Sequence, residues 1–133
     1  MKDSDVWIAC QQSLIYCCLE NSSAVEFLPK IFGGQYGENS RKWEDYVRTF
    51  IYQSLKKDLL EVVQDYGLIS DISADGLYKA YSCASLGNEE IWMGIQFSGT
   101  SRLIAVLRLN DSISWEKVRS TKEIKDLKDL FFE

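Results

Sequence analysis

The sequence predicts an α+β domain in which N-terminal helices pack on a small antiparallel sheet of three or four strands and a C-terminal helix closes the chain. Three observations carry that expectation. Helical spacing of apolar residues runs from Trp43 to Tyr66, alternation with period two takes over after Gly76, and an amphipathic segment ends the chain. With 133 residues and 46% hydrophobic content, a single domain over residues 1–133 can bury a core without disulfide or metal staples.

The first helix is expected from Ser4 to about Glu20, with Asp3 or Ser4 as its N-cap. Val6, Trp7, Ile8, Ala9, Cys10, Leu14 and Ile15 leave only a thin polar strip around Gln11, Gln12 and Ser13. Such a helix must be covered on nearly every side, most simply by the rest of the domain. Ser23 and Glu26 have capping-box spacing and open a brief second helix, which Pro29 and Gly33–Gly34 end. "GGQYGENS" is a loop with Asn39 or Ser40 ready to cap the next helix.

Trp43, Val47, Phe50, Ile51, Ser54, Leu55, Leu59, Val62, Val63 and Tyr66 then recur at steps of three and four. Read as one helix, this pattern runs from about Ser40 to Tyr66 with Gly67 at C′, and Lys56–Lys57 is where a break would fall. Beyond Gly76, Leu77–Ser85 alternates, "LGNEE" turns, and Ile91, Met93, Ile95 and Phe97 share one face. Leu103–Val106 is apolar on both faces, as a central strand would be, and Ile113–Arg119 is a candidate fourth strand. Ser120 and Glu123 open the closing helix, with Ile124, Leu127 and Phe131 on its inner face.

Several chemistries are poorly supplied. The chain has no His, which removes the readiest general base near neutral pH and the usual mixed zinc sites. The adjacent acids Glu44–Asp45 and Glu89–Glu90 diverge whether on a helix or a strand. "GGQYG" lacks the Lys and Ser/Thr of a phosphate-binding loop, and Asp71 with Asp75 offers too few oxygens for a calcium site. No catalytic residue, metal or cofactor is therefore expected. Cys10 and Cys17, seven residues apart on one helix, stand about 10.5 Å apart, beyond disulfide reach. Buried reduced thiols are expected, with a bridge from Cys83 to another cysteine left open.

Asp3 and Asp5 precede the apolar N-terminal stretch and Gln11–Ser13 interrupts it, unlike a signal peptide. No run reaches the roughly 18 apolar residues of a membrane span. A cytoplasmic protein without a membrane role is the expectation.

The stretch "DLLEVVQDYGLISDISADG" contains Asp58, Glu61, Asp65, Asp71 and Asp75 and no basic residue, so it accounts for the entire net charge of −5. On a helix, Asp58, Glu61 and Asp65 form one stripe, with Asp71 and Asp75 in the loop beyond. Asp65 in the last turn would oppose the helix dipole by about 0.3–1 kcal/mol, so folding alone does not ask for it there. This charge repels phosphate backbones and suits a basic protein partner rather than nucleic acid. Tyr66, Tyr78 and Tyr81 lie close by in sequence and offer aromatic contact area if they project outward.

A small acidic domain without catalytic equipment resembles the immunity proteins that bacteria pair with toxins. Locally, "YGENSRKWEDY" (Tyr36–Tyr46) is similar to the loop and following helix of barstar-type ribonuclease inhibitors. That resemblance implies a toxin-facing side with Tyr36, Asn39, Trp43, Glu44 and Asp45. It also implies a function: neutralising a cognate basic toxin, expected to be a nuclease, by masking its active-site surface with acids. The rival expectation is a chaperone or adaptor that binds a protein through an apolar groove including the first helix.

Overall fold

Asp3 starts the first helix by capping it. Its Oδ1 accepts from the amides of Asp5 (2.9 Å) and Val6 (3.4 Å), and α1 then runs Ser4–Leu19. The structure, a computed structural model, describes residues 3–83 and 89–133. Trp7, Cys10, Leu14, Ile15 and Cys17 are buried, so α1 is covered by its own chain. Part of its polar strip faces inward as well. Gln11 Nε2 donates to Lys122 O and its Oε1 accepts from Ile124 N, both at 2.8 Å, clamping the C-terminal segment to α1.

The chain next forms β1 (Ser22–Ser23) and two single 3₁₀ turns at Ala24–Glu26 and Gly34–Tyr36. The Ser23–Glu26 capping box is present, but Pro29 and the positive φ of Leu28 (50°) keep the element to one turn.

The helix expected to reach Tyr66 stops at Lys56: α2 is Ser40–Lys56. Asp58 takes φ 55°, its amide donates to Leu55 O (3.1 Å), and the Leu59 amide donates to Ser54 O (2.8 Å). These paired bonds are the Schellman ending, with Asp58 as the left-handed residue and fully buried Leu59 as its apolar anchor. The chain then enters β2 (Leu60–Gln64). Leu60 points into the core and Val62 is half-buried, while Glu61 between them is exposed. Asp58, Glu61 and Asp65 therefore share no helical stripe.

The antiparallel meander is corrected in the same way. The sheet has three strands in the order β1-β3-β2, both pairings antiparallel, with β3 (Gln96–Gly99) central. Phe97 faces Ser22 on one side and Val62 on the other, and a bulge interrupts β2 between Val62 and Gln64. The expected strand at Leu77 is α3 (Ala74–Cys83), whose buried Leu77 and Tyr81 are four residues apart. The expected continuation through Ala84 and Ser85 and the turn at Leu86–Asn88 lie outside the described residues. Glu89–Gly94 is helical (α4), so Met93 does not join Phe97 on a strand face and stands exposed.

Leu103–Val106 lies in α5 (Ser101–Leu109), with Leu103 and Leu107 buried one turn apart. The candidate fourth strand is instead the short helix α6 (Trp115–Val118). The closing helix α7 (Lys125–Phe132) buries Leu127 and Phe131 as expected, but it begins after the Ser120–Glu123 spacing, so Ile124 is buried at its N-cap in extended conformation rather than on its inner face. Around these elements the core is aromatic: Trp7 meets Phe131 (5.4 Å between ring centroids), Phe27 meets Phe50 (5.1 Å) and Tyr81 meets Trp92 (5.0 Å).

One buried side chain joins three of the elements. Thr100 Oγ1 donates to Asp58 O (2.7 Å) and accepts from Leu103 N (3.2 Å), and the Thr100 amide donates to Leu59 O (3.1 Å). It holds the end of α2, the start of β2 and the N-terminus of α5. Thr100→Val keeps the shape and removes the hydroxyl, so it is expected to cost about 2 kcal/mol through the lost cap and an unsatisfied carbonyl. Thr100→Ser should retain most of that stability. Urea unfolding midpoints check both, and equal stabilities for Val and Thr would refute the role of the hydroxyl.

Candidate functional site

The acidic segment is an excursion that begins and ends at the C-terminus of α2. It departs after Lys56 and returns where Lys56 Nζ lies 3.8 Å from Asp75 Oδ2. Lys56 also sits over the Tyr52 ring (5.6 Å), and Tyr52 meets Tyr78 of α3 edge-on (5.6 Å). These contacts fix the return point. The pair is well exposed and its separation long, so solvent screens most of its attraction.

Between those ends the segment has three parts. β2 is an edge strand, paired with β3 on one side, and it carries Glu61 and Val63 outward. A tight turn follows, in which Leu68 N donates to Asp65 O (3.0 Å) and Gly67 N to Asp65 Oδ1 (2.9 Å). Tyr66 (φ 53°) and Gly67 (φ 70°) are both left-handed, the pattern of a type I′ turn. Glycine adopts this readily, but a bulky tyrosine does so at a cost of order 1 kcal/mol or more. The Tyr66 ring nevertheless projects outward, 70% exposed.

The third part leads into α3. Asp71 Oδ1 accepts from Ser73 N (3.0 Å), and Ser73 Oγ accepts from Gly76 N (3.1 Å). A Cβ on Gly76 would lie 2.3 Å from Asp71 O, so this close return requires glycine. The Ser73 hydrogen bonds hold the Asp71 carboxyl below the ordinary carboxylate range and keep it ionised.

Of the five acids, Asp58, Glu61, Asp71 and Asp75 are exposed and Asp65 is half-buried. Among the described residues, only Asp75 of the five has an ion-pair partner. Tyr78 also projects outward, as do Ile72 and Met93, while Tyr81 is buried against Trp92. The absence of a basic residue within the stretch conceals one spatial neighbour, Lys56, which the fold brings to its end.

The second sequence-derived surface fares differently. Tyr36 is 90% exposed, Asn39 is half-buried and Asp45 is exposed. Trp43 and Glu44, expected to face a partner, are corrected to interior positions. Trp43 is fully buried, its Nε1 donating to Phe27 O (2.9 Å) and Leu28 O (3.1 Å), and Glu44 is 8% exposed. Asp45 pairs with Arg48 on its own helix, and Lys42 lies 5.7 Å from the Phe32 ring centroid. The exposed surface there mixes both charges and lacks its expected anchor.

No three His, Cys, Asp or Glu side chains among the described residues form a group able to hold a metal. No helix among them is long and apolar enough to cross a membrane. The four thiols are free, with Cys10 and Cys17 buried and Cys83 exposed. Burial pushes the Cys10 and Cys17 thiols far up, and Cys18 up to about 12, so all three stay protonated at neutral pH. No family model, curated protein or solved structure matches this chain.

Thiol accessibility gives a direct check on this arrangement. A native-state labelling reagent read by mass spectrometry is expected to modify Cys83 first and Cys18 slowly. Cys10 and Cys17 should react only at the rate of unfolding. Early modification of Cys10 would contradict the packing of α1.

Proposed function

We propose that this chain is an inhibitor of the immunity type, which binds a basic protein toxin, a nuclease by the sequence resemblance, and masks its substrate surface. The docking face is the excursion Asp58–Gly76. The observation that carries this reading is Tyr66: a bulky ring held in a left-handed turn, directed outward, with Asp65 beside it and Glu61 and Asp71 on the flanking strand and loop. Folding gains nothing evident from that placement, whereas a partner gains an aromatic anchor within a field of one sign. Four of the five acids lack an ion-pair partner among the described residues, which leaves their potential free to steer a cationic surface.

The face including Tyr36 and Asp45 supports docking less well, because Trp43 and Glu44 lie inside and Arg48 answers Asp45. Masking by charge also differs from the groove-based adaptor reading in its salt response: steering by unpaired acids weakens with ionic strength, and apolar packing does not.

The partner to test first is the protein encoded by the neighbouring gene. A complex whose association slows with added salt is expected. Glu61→Lys with Asp71→Lys should lower the association rate about tenfold or more and flatten its salt dependence. Tyr66→Ala should mainly speed dissociation, and Tyr36→Ala should do little. If the double charge reversal leaves affinity and salt dependence unchanged, the acidic excursion is not the docking face.

A further inference from the structure

A groove runs beside α1 on a part of the molecule that the docking proposal does not use. One section, of about 320 Å³, is lined by Gln12, Tyr16, Phe27, Lys30, Val118 and Arg119, among others. A second, of about 360 Å³, continues toward the start of the helix past Asp5, Ile8 and Ile31 and shares Gln12 and Lys30 with the first. Asp5, Ile8, Gln12 and Tyr16 recur at three and four, so one stripe of α1 forms the floor over roughly 16 Å. Each section falls in the size range of small-molecule sites.

Much of the polar lining of the first section is already engaged. Gln12 Nε2 donates to Ser120 O (3.1 Å), Ser13 Oγ accepts from Leu28 N (3.1 Å) and Tyr16 OH donates to Glu20 Oε2 (3.2 Å). Glu26 Oε1 accepts from the Ser23 amide (3.1 Å) in the capping box. Lys30 and Arg119 have no ion-pair partner among the described residues. Both are exposed. The first section thus offers apolar walls from Phe27, Pro29 and Val118 together with two cations and the single carboxylate of Glu26, so that its charged lining is cationic by one unit. An extended peptide would need a series of partners for its backbone amides and carbonyls, and the committed lining does not supply one.

We propose that this groove binds a small ligand with an apolar body and one anionic head, a monocarboxylate, with its head at Lys30 and Arg119 and its body along Phe27 and Val118. Arg119 suits such a head because its guanidinium fork matches both oxygens of a carboxylate.

Decanoate titrated into the isotope-labelled protein tests this, with decanol and decylamine as probes that differ in head group. Saturable one-to-one shifts at Gln12, Tyr16 and Val118 are expected for decanoate. The double variant Lys30→Glu/Arg119→Glu should weaken decanoate binding about tenfold or more. Val118→Trp, which fills the groove, should abolish it while the spectrum of the remaining core is unchanged. The proposal is overturned if decanoate produces no shifts, if all three probes bind alike, or if the charge reversal has no effect. It is also overturned if the groove proves to be filled by the toxin-type protein partner itself. None of these results alters the test of the acidic excursion, which uses other residues.

Discussion

The junction of Asp58, Leu59 and Thr100 is the constraint on which the rest depends. At that point a helix must end, an edge strand must begin beside β3, and α5 must receive its first turn. One hydroxyl and one amide of Thr100 serve all three demands, in a place where the side chain is 4% exposed and water cannot substitute. Asp58 contributes the left-handed conformation that reverses the chain out of α2. Its own carboxylate stays outside while its carbonyl is held within.

This junction decides what the acidic segment becomes. Continued as a helix, its carboxylates would lie along one stripe with Tyr66 turned toward the core. Diverted into a strand and two turns, the same residues form a loop closed at Lys56 and Asp75, with Tyr66 at a turn and Glu61 on a sheet edge. Edge strands invite pairing, and both the bulge at Val62–Gln64 and the charge of Glu61 discourage unspecific partners here. A surface guarded in this way favours a partner of opposite charge. The α1 groove is a separate surface, apolar in its walls, with Lys30 and Arg119 outnumbering Glu26 among its charged groups. Different chemistry governs the two regions.

Where apolar spacing was unambiguous, the sequence was a good guide: α1 with its Asp3 cap, the body of α2, and the inner face of α7 are all legible. Three of the failures share a cause. Leu77–Cys83, Leu103–Val106 and Trp115–Val118 looked like strands but form helices. Each comes after a Ser or Thr whose Oγ accepts from the amide three residues on: Ser73 from Gly76, Thr100 from Leu103, Ser114 from Lys117. Those caps were visible, and they outweigh a period-two pattern over so few residues. The true sheet was harder to read, since β1 is only Ser22–Ser23 and Val62–Val63 satisfies either period. Of the candidate site, the charge of the segment was legible and its geometry was not. Trp43 shows why: its helical phase points inward, and the local likeness to an inhibitor loop carried no information about that phase.

The backbone conformation from Lys57 to Gln64 tests the central claim most directly. Carbon-13 secondary shifts and scalar couplings measured in solution should show a positive φ at Asp58 and extended values from Leu60 to Gln64. Helical shifts running unbroken through Tyr66 would contradict the account, because the outward-facing tyrosine and the closed acidic loop would then not exist.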